Sequence, residues 1–176
     1  MKATTLLSKQ HAKVKALFKK LESGRGDMRA LLDELADDLA AHMAIEQDIF
    51  YPAVRDVDES LVLESFEEHA LGEIAMKRLR ACDPSNESFH AHVVATKELI
   101  EHHAEEEEQE LFPQVEKVMS AELLKQLGAA MQAQFERLLP EGFDGLTSRS
   151  MSATTSDKAR RKLDRAAKSF ARSIHI

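Results

Sequence analysis

One pattern occurs twice and constrains this chain more than anything else in it: His42-Met-Ala-Ile-Glu46-Gln-Asp-Ile-Phe-Tyr-Pro52 and His103-Ala-Glu-Glu-Glu107-Glu-Gln-Glu-Leu-Phe-Pro113. In both stretches Glu follows His by four places and an aromatic residue leads into Pro. Such a repeat implies two related halves. On a helix, residues four apart lie about 40° apart around the axis and about 6 Å along it, so each His/Glu pair presents adjacent side chains from one face. That is metal-ligand spacing.

A third pair, His69 and Glu73, and a further histidine, His11, fall on other segments that read as helices. Glu makes up 20 of the 176 residues, so about one of the 8 histidines should be followed by Glu at four places; His42, His69, His102 and His103 all are. Four segments therefore each offer a histidine, and three add a carboxylate.

With 176 residues the chain fits one domain and an appended tail. Its 6 Gly, 4 Pro and absence of Trp, with abundant Ala, Leu, Glu and Lys, favour helices over sheet. No 18-residue apolar run occurs and the N-terminus lacks a secretory apolar core, so the expectation is a soluble, cytoplasmic protein without a membrane span. The single Cys82 excludes a disulfide framework and a thiolate metal cage. Residues 1–140 carry 16 basic and 27 acidic side chains, whereas 141–176 carry 8 and 4. An acidic body argues against nucleic acid as a partner of the bundle.

Thr4 or Thr5 can cap a first helix with Leu7, His11, Val14, Phe18 and Leu21 on its stripe, ending at Ser23-Gly24. Asp27 can cap a second, whose inward face runs through Leu35, Leu39, His42, Met43, Glu46 and Phe50; Pro52 should kink or end it. A third helix follows the turn at 56–60, with Val62, Phe66, His69, Glu73 and Met76 inward. Asp83-Pro84 can open a fourth, which carries Thr96, Ile100, His103, Glu107 and Leu111 on one side. Ser120 can cap a short fifth helix over 121–139, stopped by Pro140. Residues 141–156 are rich in Gly, Ser and Thr and read as a flexible linker; beyond them lies a basic amphipathic tail. The domain expectation is thus a bundle over 1–140 and a linker plus tail over 141–176.

Helices of alternating direction joined by short turns predict an all-α, antiparallel up-down four-helix bundle with a short fifth helix and a basic C-terminal tail. His11 and His69 lie near helix beginnings and His42 and His103 toward helix ends, so all four meet at one end. Several buried His and Glu without a cation would cost several kcal/mol per unpaired charge. The candidate metal ligands are His11, His42, Glu46, His69, Glu73, His103 and Glu107. His102 points about 100° away from His103, and His92 is about 16 Å from it along the axis, so neither should share the site. Glu105, Glu106 and Glu108 read as a solvated face.

These residues resemble the hemerythrin-like family, the HHE cation-binding domains, over roughly residues 5–118. The resemblance implies a four-helix bundle with a non-haem di-iron centre, two Fe ions bridged by Glu46 and Glu107. It further implies His11 and His42 on one iron and His69 and His103 on the other. Glu73 departs from the oxygen carriers, which have histidine at that place, and the second bridge is Glu at a four-residue spacing where the carriers have Asp. Both differences add hard oxygen donors, which favour ferric iron and weaken simple reversible oxygen carriage.

The implied function is binding or sensing of a small diatomic ligand, O2 or NO, at the di-iron centre. The alternative is a di-iron redox enzyme, decomposing peroxide or oxidising Fe(II), or an iron buffer. The tail is free to bind an unknown partner, and the pattern does not fix the oligomeric state.

Overall fold

The structure, a computed structural model, describes the backbone of residues 1–153 and side chains through Thr147. The basic tail expected over 157–176 lies outside the described residues. Among the described residues every regular element is helical: α1 (Ala3–Glu22), α2 (Met28–Ile45), α3 (Tyr51–Val54), α4 (Glu59–Ala81), α5 (Phe89–Glu106), α6 (Phe112–Val118), α7 (Ala121–Leu138) and α8 (Gly142–Ala153). Two five-residue π turns join α2 to α3 (Glu46–Phe50) and α5 to α6 (Glu107–Leu111).

Helices α1 and α2 form one hairpin and α4 and α5 another; α1 also packs on α5 and α2 on α4, which closes a four-helix bundle. The all-helical bundle expected from the pattern is the observed fold. Its core is aliphatic, with Leu7, Phe18, Leu35, Phe50, Met76 and Leu111 completely or almost completely buried. Helix α7 lies across α1 and α2. There Gly128 permits close approach, because a side chain at that position would strike the backbone of Lys2 and Ala3.

Local sequence set several boundaries as expected. The Asp27 carboxylate accepts from the backbone N–H of Arg29 and Ala30, and Ser120 caps α7 through Leu123. Three expectations fail for identifiable reasons. Thr4 does not cap α1 but lies buried within it, its hydroxyl donating to Glu116. Helix α5 begins at Phe89, not at Asp83-Pro84, because the side chains of Asp83 and Asn86 accept from Ser85 and Ser88 backbone N–H and so offer turns in place of a helix.

The third concerns residues 142–153, expected as linker and found as helix α8 packed on α2. Phe143, Leu146 and Thr147 are buried at helical spacing. Gly142, with φ of 67°, makes the turn, Phe143 N–H donates to Asp37 at 2.7 Å, and Arg80 both pairs with Asp144 and covers the Phe143 ring. Tertiary partners, not local propensity, order this segment.

Pro52 and Pro113 neither end nor break their helices. A proline ring collides with the carbonyl four residues back. Here the N–H groups of Tyr51 and Phe112 bond five residues back, to the carbonyls of Glu46 and Glu107, and the wider turn absorbs the proline. Both halves of the repeat use the same device, and each π turn starts at a candidate ligand.

Candidate metal centre

The face that carries ligands on each of the four bundle helices is otherwise apolar, so the polar side chains are held in the core by the packing of their neighbours. His11, His42, Glu46, His69, His103 and Glu107 are all buried, Glu46 and Glu107 completely. Five of them come together as two overlapping groups, His11/His42/Glu46 and Glu46/His69/His103, within each of which the donor atoms lie within 4.8 Å of one another.

The Nε2 atoms pair by halves. Those of His11 and His42 are 3.1 Å apart and those of His69 and His103 are 2.9 Å apart. Donor separations of about 3 Å suit neighbouring ligands of one ion with metal–nitrogen bonds of about 2 Å. Glu46 reaches both pairs, its carboxylate standing 3.2 Å from His42 Nε2 and 3.3 Å from His69 Nε2. Glu107 does likewise, at 3.4 Å from His11 and 4.0 Å from His103. Both oxygens of Glu46 and one of Glu107 are buried without a hydrogen-bond donor. Orphaned carboxylate oxygens facing bare imidazole nitrogens are a donor set that a cation satisfies.

Every ring is oriented from behind. His11 Nδ1–H donates to Glu108 at 2.8 Å, His42 Nδ1–H to the Gln10 amide oxygen at 2.8 Å, and His103 Nδ1–H to Glu68 at 2.7 Å. The Gln47 amide hydrogen-bonds His69 Nδ1 at 3.0 Å. Glu108, Gln10 and Glu68, by accepting from Nδ1, fix the tautomer that leaves Nε2 bare and raise its basicity, whereas at His69 the Gln47 amide nitrogen donates to Nδ1.

The electrostatics follow from burial. Burial is the largest influence on His11 and opposes its charge, yet hydrogen bonds to Glu107 and Glu108 outweigh it and raise its pKa. Burial, with the neighbouring histidines, pushes His42 and His69 well below the ordinary value. Burial and the Glu107 charge hold Glu46 well above the carboxylate range. Burial also works against ionised Glu107, but His103, His11 and His69 prevail and lower it. Of the two carboxyls, Glu46 is thus the one whose environment favours the protonated form and Glu107 the one whose environment favours the charge.

The two halves differ at the residue after each π turn. Tyr51 donates its hydroxyl to Glu107 at 2.8 Å and lies 3.1 Å from His69 Nε2, whereas Phe112 stacks against His11. Burial, then Glu107 and Glu46, raise the Tyr51 pKa well above the phenolic value. Tyr51 was visible in the repeat as an aromatic before Pro; that its hydroxyl enters the centre was not.

Glu73, expected as a ligand, is not among the residues brought together. It is buried one turn beyond His69 and accepts from Lys77 at 2.6 Å. Glu108, expected on a solvated face, backs His11, and Glu68, Gln10 and Gln47 were not singled out because their partners lie on other helices. His102 is exposed and turned away, as expected.

Comparison with known proteins places this geometry. A hemerythrin HHE cation binding domain-containing protein from Mycobacterium kansasii superposes with a TM-score of 0.72 at 26% identity, covering 94% of this chain and 99% of that one. A DNA nickase from Nostoc sp. is 24% identical over 136 residues, 76% of this chain but only 39% of the nickase. The family model for the hemerythrin HHE cation binding domain matches residues 2–115, which hold all six of the converging His and Glu. The chain belongs to the hemerythrin HHE cation binding domain family.

Proposed function

We propose that the chain holds two non-haem iron ions and binds a small diatomic ligand, O2 or NO, beside them. His11 and His42 would hold one ion and His69 and His103 the other, with Glu46 and Glu107 shared between the two. The observation that carries this is the sharing of Glu46 between two histidine pairs, with its oxygens buried and lacking any hydrogen-bond donor. Bound iron would supply redox capacity and a coordination position for the diatomic. The chain's own residues orient the four rings through Nδ1, exclude bulk water, and hold a proton at Tyr51 Oη beside Glu107.

A second reading, redox turnover with peroxide or Fe(II), is favoured by Tyr51. A buried phenol at 2.8 Å from a bridging carboxylate can donate a proton, and Phe112 at the equivalent place cannot. Among the described residues no helix is long and apolar enough to cross a membrane, and we place the protein in the cytoplasm.

The test is metal content per chain together with the visible spectrum of anaerobically reduced protein before and after O2 or NO. Two irons and a reversible spectral change support the diatomic reading; immediate irreversible oxidation, with turnover of peroxide that Tyr51→Phe slows, supports the second. One metal or none per chain would overturn both.

A further inference from the structure

A cavity of about 190 Å³ lies against the four histidine rings and is larger than a diatomic ligand requires. An apolar cavity of about 150 Å³ accommodates benzene. Val14, Leu39, Met43 and Ile100 form its walls between α1, α2 and α5. The histidines add ring faces and C–H edges but no free polar atom, because each Nδ1 is already hydrogen-bonded and each Nε2 is turned to a neighbouring donor of the centre. Neither Glu46 nor Glu107 is among the lining residues, so the cavity lies on the histidine flank, away from the carboxylates.

Small residues line the cavity as well, Ser8 and Ala12 on α1 and Ala104 on α5, and the exposure of Ala12 puts its outer end there. The rim is acidic: Glu101, Glu105 and Glu108 border it, with Lys15 spanning to Glu105 at 3.6 Å. Excess negative charge at a narrow mouth repels anions and leaves neutral molecules unopposed.

We propose that this cavity is a binding site for a neutral, apolar organic molecule of about benzene size, seated against the rings of His11, His42, His69 and His103. It extends the metal reading and rests on it in one respect, that the Nε2 atoms are committed away from the guest. What holds such a molecule is dispersion and edge-to-face contact with aliphatic and imidazole surfaces, and what selects it is a wall whose surface is mostly apolar, while its acidic members Glu68, Glu101, Glu105 and Glu108 disfavour an anion.

The experiment is calorimetric titration of the full chain, as purified, with benzene and separately with benzoate. Metal content is measured on the same samples. Saturable one-site binding of benzene is expected, with benzoate at least tenfold weaker. Ala104→Leu should lower benzene affinity at least tenfold by filling the opening. Ala12→Leu, at an exposed position that leaves the core untouched, should do the same and serves if the first variant fails to fold. No saturable binding up to the solubility of benzene, equal binding of benzoate, or affinity unaltered in the Leu variants would overturn the proposal. Metal retained without benzene binding removes the guest site alone; benzene bound without metal removes the di-iron reading alone.

Discussion

The Nε2 atoms of His11 and His42 stand 3.1 Å apart while Nδ1 of each ring is already donating, to Glu108 and Gln10 respectively. Two lone pairs cannot face each other at that distance without a positive charge between them. In the metal-free protein a proton on His11 supplies it, consistent with the raised pKa of that ring.

Proton release follows. His11 and Glu46 both hold protons in the metal-free fold above their ordinary pKa values. A cation must displace both, and a reaction that releases protons is favoured as pH rises. Metal affinity should therefore increase between pH 6 and pH 8, with release of at least one proton per chain, measured by titrating Co(II) in buffers of different ionisation enthalpy. Affinity independent of pH would contradict this account of the centre.

Glu46 and Glu107, the proposed bridges, should be the least replaceable groups. Glu46→Ala or Glu107→Ala removes a donor shared by both histidine pairs and leaves buried rings facing one another. Metal content should fall from two per chain to one or none, and the thermal midpoint should fall with it, since binding free energy is stability. A Glu46→Ala protein that still carries two metals would remove Glu46 from the bridge.

Residues behind the rings should tune affinity without abolishing it. Glu108→Gln and Glu68→Gln each weaken a charge-assisted hydrogen bond to Nδ1, of 2.8 Å and 2.7 Å. Loss of such a partner costs roughly tenfold to a hundredfold in metal affinity. Competition with a chelator of known strength measures it; unchanged affinity in both variants would reduce these contacts to packing.

The converging positions were legible in the sequence because each His or Glu interrupts an apolar stripe, and burial of a charge in a stripe demands a reason. Asp27 and Ser120 were legible because a cap acts within three residues. What acts between helices was not. Glu68 meets His103 and Glu108 meets His11 only after the bundle closes, and on its own helix Glu108 belongs to an acidic run with no distinguishing mark. The π turns were hidden differently: Pro52 and Pro113 signalled an interruption, but a break and a one-residue insertion look alike until the backbone is seen.

Glu73 separates spacing from position. It follows His69 by four places, as Glu46 follows His42, but no π turn begins there and its carboxylate is held by Lys77 at 2.6 Å. Glu73→Gln should leave metal content and visible spectrum unchanged. Because the Lys77 side chain is 39% exposed, the pair should contribute less than about 1 kcal/mol. A changed spectrum, or loss of one metal, would return Glu73 to the ligand set.

Helix α8 offers the clearest division between stability and metal binding. Phe143 is 1% exposed and sits under the Arg80 guanidinium, whose centre is 5.1 Å from the ring. Replacing a buried Phe by Ala costs about 3 kcal/mol or somewhat more, since the transfer term and the cavity term add. For a chain of this size that lowers the thermal midpoint by roughly 6–12 °C. Arg80 loses the ring it covers but keeps Asp144 and Asp33, so the end of α4 should stay in place. Phe143→Ala should therefore melt earlier with the metal stoichiometry and spectrum of the parent. If α8 were merely a tethered linker resting on the surface, the midpoint would not move, and the helix seen over 142–153 would contribute nothing to the fold.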